Sequence, residues 1–239
     1  MIYIMSDIHG LYDRYVKMLE KIDLRPEDRL YILGDVIDRG PDGIAILFDI
    51  MERENAELFL GNHEHMMLTW LDRTDRSSWF LPPNGGQITY GKFLKLKEED
   101  RKRIVDYLTD HTTLVKNLDL GGHHYVLSHT STPFTDHDLY TRDYAKDLSA
   151  ILDLVWNMGP DNTYDLGEKE SCGKQITFIS GHIVTYRFDP EKKIVTVNYP
   201  NGYTWIDIDC GCAGGEMFGY LSCLKISEEG QILDVLYVR

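Results

Sequence analysis

The stretch IYIMSDIHG, at residues 2–10, is followed by two stretches of similar design, LYILGDVIDRG at 30–40 and LFLGNHE at 58–64. Each begins with a short apolar run of strand length and ends in polar residues and glycine. Between them, residues 11–22 and 44–53 show the amphipathic spacing that is typical of helices. This β-α-β-α-β order predicts a largely parallel sheet covered by helices.

The remainder of the chain predicts further helices and then a second sheet. Residues 72–116 are interpreted as mainly helical, and Tyr125–Ser128 as a short strand. Five more strands are predicted after Gln175, at Ile176–Ser180, Ile194–Asn198, Tyr203–Ile208, Tyr220–Ile226 and Ile232–Tyr237. Such a run indicates a second sheet stacked on the first. The length of 239 residues suits one domain, 1–239, in which the polar segment 134–174 is expected to be an insertion that lines the site.

Polar side chains that can bind metals or phosphate follow the predicted strands at the points where the strands end. They are Asp7, His9, Asp35, Asp38, Arg39, Asn62, His63, His129 and His182. Because ligand sites in α/β folds collect at the carboxyl ends of strands, we expect these side chains to meet at one edge. Carboxylate, imidazole and amide oxygen are donors that suit manganese, iron, zinc or magnesium.

The spacing of these donors favours two metal ions rather than one. Asp7 and His9 alternate around Ile8, so their side chains leave the strand end on the same side. Asp35 is expected to bridge to a second metal. That metal would be completed by Asn62, His129 and His182. Two metals about 3.5–4 Å apart lower the pKa of a water between them and stabilise in-line displacement at phosphorus. The pattern therefore predicts a phosphate ester hydrolase.

Two further residues fit the same chemistry. His63 directly follows the expected ligand Asn62, so its ring would lie near the metals without binding them. A neighbouring carboxylate such as Asp38 would favour the protonated imidazole and make His63 a competent general acid. Arg39 offers a planar fork for two phosphate oxygens.

The segments SDIHG, GDVIDRG, GNHE and SGH (180–182), together with His129, resemble the phosphoprotein phosphatases within the calcineurin-like metallophosphoesterases. The similarity is greatest to small bacterial and phage-type serine/threonine phosphatases, and NGG (84–86) and IDIDCG (206–211) also resemble segments of those enzymes. The resemblance implies an α/β fold with four αββα layers, in which a two-sheet β-sandwich is flanked by helices.

The resemblance also implies a role for each site residue. Asp7, His9 and Asp35 would hold one metal, and Asp35, Asn62, His129 and His182 the other. His63 would protonate the leaving oxygen, with Asp38 orienting it, while Arg39 and Asn62 would contact the substrate. Two divalent ions are expected, with manganese first and iron, zinc or magnesium as alternatives.

The sequence departs from the family pattern at two places. Relatives typically have His-Ala-Gly or His-Ala-Asp where this chain has His129-Thr130-Ser131. Phage-type enzymes carry a second phosphate-binding arginine just after the Trp-Asn pair, whereas residues 155–159 read VWNMG. Arg142 and Arg187 are the candidates to replace it.

Composition and charge exclude some partners. The formal net charge of −14 argues against binding to a nucleic-acid backbone. The longest apolar stretch, at 43–51, contains Asp49 and is far shorter than the ~20 residues of a membrane span. We therefore expect a cytoplasmic protein with no membrane partner. The four cysteines lack the spacing of a zinc site and are interpreted as structural thiols.

Three functions are compatible with these observations. The first is a phosphomonoesterase acting on phosphorylated serine or threonine residues of proteins, with tyrosine as a further option, or on a small phosphate ester. The second is a nucleotide hydrolase similar to the bis(5'-nucleosyl)-tetraphosphatases, since bacterial relatives with similar motifs cut dinucleoside polyphosphates. The third is a catalytically silent binding module, which the retention of all expected ligands and of His63 disfavours.

Overall fold

Two five-stranded sheets lie face to face in the computed structural model, which describes residues 1–76, 78–130, 148–157, 175–190, 193–215 and 219–239. The strands are β1 (Ile2–Met5), β2 (Arg29–Ile32), β3 (Ala56–Leu58), β4 (Val115–Leu120), β5 (His123–Ser128), β6 (Ile176–Ser180), β7 (Val195–Asn198), β8 (Tyr203–Asp207), β9 (Leu221–Ile226) and β10 (Ile232–Val238). The helices are α1 (Tyr12–Ile22), α2 (Gly43–Glu52), α3 (Asn62–Asp72), α4 (Gly86–Phe93), α5 (Glu98–Asp110) and α6 (Leu148–Val155), with a 3₁₀ turn at Thr185–Arg187.

The first sheet has the order β10-β9-β1-β2-β3 and is mixed rather than largely parallel. β1, β2 and β3 are parallel, as the sequence predicts. The prediction for the last two strands is wrong, because β9 pairs antiparallel with β1 and β10 with β9 instead of joining the second sheet. The physical reason is that β1 would otherwise be an edge strand, with one row of backbone hydrogen-bonding groups unpaired.

The second sheet has the order β4-β5-β6-β8-β7. Strand β4 is not predicted: the segment interpreted as mainly helical ends at residue 116, and residues 117–120 carry no assignment. It forms an antiparallel hairpin with β5 in which Leu120 pairs with His123. The two residues between them, Gly121 and Gly122, both have positive φ, of 54° and 91°. A two-residue turn of this kind matches the twist of the flanking strands.

Side chains alternate along the strands and separate three apolar layers. Ile2 and Ile4 of β1 pack between the two sheets, whereas Tyr3 and Met5 pack against the helices on the outside of the first sheet. Val126 of β5 points to the outer side of the second sheet, where α6 covers it. The order of layers is therefore helix, sheet, sheet, helix, and the predicted αββα fold is confirmed.

The strands that precede the predicted site residues end at a common edge of this sandwich. The parallel strands β1, β2 and β3 lead to Asp7, Asp35 and Asn62, and the parallel strands β5 and β6 lead to His129 and His182. The His182 N–H donates to Asp7 Oδ2 at 3.0 Å and joins the two sheets there.

Part of the predicted insertion 134–174 lies outside the described residues. Within that segment the structure describes residues 148–157, which include α6. The single domain with an insertion therefore stays a prediction. Among the helices of the described ranges, none combines the length and the apolar character needed to cross a membrane.

Candidate metal centre and active site

The loops that carry the site have unusual backbone conformations. Six predicted site residues have left-handed φ angles: Asp7 (51°), His9 (49°), Asp35 (54°), Asp38 (67°), Arg39 (61°) and His182 (74°). Such conformations cost of order 1–3 kcal/mol for residues other than glycine and persist where the surrounding structure holds them. They turn successive side chains inward from the strand ends, so that all nine predicted site residues form one connected group.

Two glycines allow the backbone to approach the carboxylates closely. A Cβ atom on Gly61 would overlap Asp35 Oδ1, and one on Gly181 would overlap Asp7 Oδ2 and the Ser6 hydroxyl. Any side chain at either position would displace a carboxylate. The glycines of GNHE and SGH are thus required by the packing around Asp35 and Asp7.

Asp35 lies at the centre of the group. Its Oδ2 is 3.8 Å from His9 Nε2, and its Oδ1 is 3.6 Å from His129 Nε2. Donor atoms of His9, Asp35 and His63 lie within 4.8 Å of one another, as do those of Asp35, His129 and His182. Asp35 therefore belongs to two adjacent donor groups, which is the arrangement that a bridging carboxylate needs.

The imidazole rings present the nitrogen lone pairs that a metal requires. Nδ1 of His9 is 3.2 Å from the carbonyl oxygen of Ile37, and Nδ1 of His129 is 2.6 Å from that of Leu33. These carbonyls can only accept, so each Nδ1 carries the proton and each Nε2 is an acceptor that faces the site. His129 Nε2 faces Asn62 Oδ1 at 3.0 Å. Two acceptor atoms this close repel each other unless a cation binds both of them.

Asp7 and His182 each have a buried polar atom without a partner that a metal could bind. Its Oδ2 accepts hydrogen bonds from the Ser6 hydroxyl and the His182 N–H, but its Oδ1 is buried without a partner. His182 Nε2 is likewise buried without a partner. Burial, followed by the charge of Asp35, raises the pKa of Asp7 to about 6. A divalent cation would offset that repulsion and engage the unpartnered atoms, so the residues present fit the predicted metals.

His63 belongs to the first donor group and is held by Asp38. The His63 Nδ1–H donates to Asp38 Oδ2 at 2.7 Å, and the Trp79 Nε1–H donates to the same oxygen at 2.7 Å. Burial works against the imidazolium, but the carboxylates of Asp35 and Asp38 outweigh it and raise the pKa of His63 above its usual value. The protonated Nδ1 leaves Nε2 directed at Asp35 Oδ2, 3.9 Å away.

Arg39 spans the two histidines at the open side of the group. Its Nη1 is 2.6 Å from His9 Nε2 and its Nη2 is 3.3 Å from His63 Nε2. The Nε–H donates to the carbonyl oxygen of Pro83 at 3.2 Å, and Gly85 packs against the Arg39 backbone. The segment next to NGG thus positions the guanidinium, whose fork is suited to a phosphoryl group.

Glu64 is a site residue to which the sequence analysis gave no role. It is fully buried, and each of its oxygens accepts two backbone N–H groups: Oε2 those of Asp35 (2.8 Å) and Gly61 (3.1 Å), Oε1 those of Val36 (2.9 Å) and Ile37 (3.3 Å). Glu64 therefore ties the loop after β2 to the start of α3. Its place at the third position of α3, where a glutamate forms a capping box, was the available signal.

Trp79 contacts the site, whereas neither candidate for the second phosphate-binding arginine is shown to do so among the described residues. Trp79, to which the sequence analysis gives no role, is buried and donates its Nε1–H to Asp38 Oδ2. Arg187 lies exposed on the 3₁₀ turn after His182, and Arg142 lies outside the described residues. Replacement of the second phosphate-binding arginine by either of them stays a prediction.

Comparisons with known proteins agree with this geometry. The family described as "Calcineurin-like phosphoesterase" matches residues 1–192. The chain is 27% identical over 224 residues to serine/threonine-protein phosphatase 2 of Salmonella typhimurium, which covers 91% of each chain. It is 30% identical over 136 residues to the symmetrical bis(5'-nucleosyl)-tetraphosphatase of Cellvibrio japonicus, covering 55% of this chain. The match spans about half of that relative, 45% of its length.

A solved structure shares the fold. It is a protein serine/threonine phosphatase from Saccharomyces cerevisiae with similarity to human phosphatase PP5. The TM-score is 0.60 at 14% identity, over 99% of this chain and 78% of the other.

Proposed function

This chain belongs to the calcineurin-like phosphoesterase family, and from that premise we propose that it is a metal-dependent phosphomonoesterase acting on phosphorylated serine and threonine residues of proteins. The observation that carries the proposal is the position of Asp35 in two adjacent donor groups, of which the first also contains His63, an imidazole paired with Asp38. Metal donors alone would suit a binding protein. A buried imidazole that is paired with a carboxylate next to those donors supports a catalytic role.

Two divalent metals would be held by the residues that the sequence identified. One ion would take Asp7, His9 and Asp35, and the other Asp35, Asn62, His129 and His182. When bound, the metals supply positive charge that activates a water and neutralises the phosphoryl oxygens. We propose manganese as the native metal.

The protein's own side chains would then divide the remaining work. Arg39 places its guanidinium over His9 and His63, where it would bind and orient the phosphoryl oxygens together with the Asn62 amide. His63 would deliver the proton from Nε2 to the leaving oxygen, because its Nδ1 is committed to Asp38. Asp38 would hold the ring in that orientation and stabilise its charge.

The choice of a phosphoprotein substrate is supported by the extent of the matches, since a serine/threonine phosphatase matches this chain over more residues than the tetraphosphatase does. Serine/threonine-protein phosphatase 2 of Salmonella typhimurium covers 91% of both chains, whereas the tetraphosphatase of Cellvibrio japonicus is matched over 45% of its length. The second candidate is hydrolysis of dinucleoside polyphosphates, which the 30% identity to that tetraphosphatase favours. The two share the metal centre and differ in what lies beyond the phosphate.

Side-by-side turnover of four substrates would test the proposal. The metal-stripped protein would be given manganese, zinc, magnesium or no metal, and then para-nitrophenyl phosphate, its bis-ester, a phosphoserine peptide or diadenosine tetraphosphate. We expect metal-dependent hydrolysis of the monoester and the peptide. Faster hydrolysis of the dinucleotide would support the second candidate. Two bound metal equivalents without turnover of any substrate would support a silent binding module.

A further inference from the structure

A cavity of about 310 Å³ opens beside Arg39. Its walls come from the segment after His182, which contains the 3₁₀ turn, and from the loop after β8. The lining residues are Arg39, Val184, Tyr186, Gly211, Ala213 and Gly214. None of the last five has a role in the proposed metal centre.

The cavity and the proposed phosphoryl site share one side chain. Arg39 lines the cavity, and its two terminal nitrogens are 2.6 Å from His9 Nε2 and 3.3 Å from His63 Nε2. A phosphate held by Arg39 would therefore lie next to the cavity. Whatever organic group is esterified to that phosphate has the cavity as an adjacent space.

The walls favour a flat, uncharged group. Val184 and Ala213 are apolar, and Gly211 and Gly214 have no side chains to obstruct the cavity. Gly211 has a φ of 65°, and a Cβ atom there would lie 2.9 Å from Val184 Cγ1. Any other residue at position 211 would therefore push against Val184 and change the shape of the cavity. Arg39 is the one charged residue among the lining residues. A cavity near the lower end of the usual ligand range of ~300–1,000 Å³ suits a single ring.

Tyr186 supplies an aromatic surface at this cavity. It is 48% exposed, which is high for a large aromatic side chain close to a proposed catalytic site. Aromatic side chains bind flat rings by stacking, and the gain does not depend on which ring is presented. An aliphatic ring of the same size is puckered and makes fewer of these contacts.

We propose that this cavity is a subsite for a planar aromatic ring carried by the group that is esterified to the reacting phosphate, with Tyr186 as the stacking residue. The inference rests on the proposed phosphomonoesterase function and assigns a residue of the same site that would favour substrates with an aromatic ring. The ring of a phosphotyrosine residue and the base of a nucleotide are the two sources of this chemistry.

A pair of non-hydrolysable ligands isolates the contribution of the ring. Benzylphosphonate and cyclohexylmethylphosphonate have the same charge and similar size, but only the first is planar. For the full chain loaded with manganese, calorimetry should show that benzylphosphonate binds about tenfold more tightly. Tyr186→Leu should bring the two dissociation constants within about twofold, and Tyr186→Phe should retain the preference because it keeps the ring.

Inorganic phosphate separates failure of this inference from failure of the proposed function. If the wild-type protein binds phosphate but does not prefer benzylphosphonate to cyclohexylmethylphosphonate, the subsite is overturned and the proposed phosphomonoesterase function is not. A Tyr186→Leu variant that keeps the full preference would also overturn it. Protein that binds two manganese ions but no phosphate would overturn both proposals.

The source of the ring is distinguished by two further ligands. They are a peptide containing phosphonomethyl-phenylalanine and the methylenephosphonate analogue of adenosine monophosphate. A loss of affinity in Tyr186→Leu of about tenfold for the peptide assigns the subsite to tyrosine phosphates, and the same loss for the nucleotide analogue assigns it to nucleotides. Unchanged affinity for both contradicts the inference.

Discussion

The imidazole Nδ1 of His63 donates a hydrogen bond to Asp38 Oδ2 across 2.7 Å, and both side chains are almost completely buried. The same carboxylate oxygen accepts the indole N–H of Trp79, so the acceptor is itself held in place. His63 therefore has one available orientation, with Nε2 facing Asp35 and Arg39. A proton donor held in this way is expected to act on one defined atom of a substrate.

Replacing His63 with asparagine should separate catalysis from metal binding. We expect His63→Asn to keep two metal equivalents and to lower turnover of an alkyl phosphate by about 10²–10⁴-fold, since general acid catalysis contributes that much. Para-nitrophenyl phosphate, whose leaving group needs little protonation, should lose less. Steady-state kinetics with both substrates and metal analysis provide the test. Equal losses for the two substrates would contradict the acid role.

Removing the indole N–H should weaken the orientation of Asp38. Trp79→Phe deletes one hydrogen bond to a charged group, a contribution of about 1.5–3 kcal/mol, and turnover of an alkyl phosphate should fall by about tenfold with unchanged metal content. Trp70→Phe is the matched control, because Trp70 packs in the same aromatic cluster against Trp79 and Phe80. If both variants lose activity equally, packing rather than the hydrogen bond is responsible.

Glu64 is predicted to be essential for the arrangement of the loops. Each of the two carboxylate oxygens accepts two backbone N–H groups. In Glu64→Gln one oxygen is replaced by an NH₂ group, which in either orientation of the amide would face two N–H donors and could accept from neither. We expect the free energy of unfolding to fall by about 2–4 kcal/mol and metal affinity to fall with it. Urea unfolding and metal titration measure the two effects.

Glu57→Gln serves as the control for Glu64→Gln. Glu57 is partly exposed and pairs with Thr113 and Lys116, so its change should cost less than about 1 kcal/mol. Equal stability of Glu64→Gln and the wild type would show that the four N–H groups find other partners.

A single methyl group beside Asp7 should disrupt one metal position. The added Cβ of Gly181→Ala would overlap Asp7 Oδ2 and the Ser6 hydroxyl, forcing the carboxylate to move. We expect loss of about one metal equivalent by mass spectrometry of metals. Gly91→Ala is the matched control, since a Cβ there meets nothing within 4 Å and α4 should gain up to about 1 kcal/mol. Full metal occupancy in Gly181→Ala would contradict the assignment of Asp7.

The buried thiol of Cys223 gives a prediction for pH. Burial raises the pKa of Cys223 to about 12 from 9.0, so the folded state keeps the thiol neutral where the unfolded state ionises it. Its contribution to stability is complete below pH 9 and is lost as pH rises toward 12. Between pH 8 and 10, the stability of the wild type relative to Cys223→Ala should fall by about 1–2 kcal/mol in urea unfolding under reducing conditions. A constant difference would contradict the raised pKa.

Much of the fold could be predicted because local patterns specify local elements. The apolar runs before Asp7, Asp35 and Asn62 form the parallel strands β1, β2 and β3, as the sequence predicted. The same patterns could not say which edge β9 and β10 would join, because strand pairing depends on which backbone groups other elements leave unpaired. The hairpin strand β4 is not predicted, because only its first two residues fall in the segment interpreted as helical and the rest carries no assignment, although the two glycines mark its turn.

The residue pattern alone predicts the kinds of donor side chains, their order and their positions at the strand ends. The contacts that hold those donors in place came from the fold: Glu64 joins two loops, and Trp79 shares with His63 one oxygen of Asp38. The physical reason is that residue type fixes which hydrogen bonds and metal contacts a side chain can make. The partner that it meets depends on distances between elements far apart in the chain, which are set only when the two sheets pack.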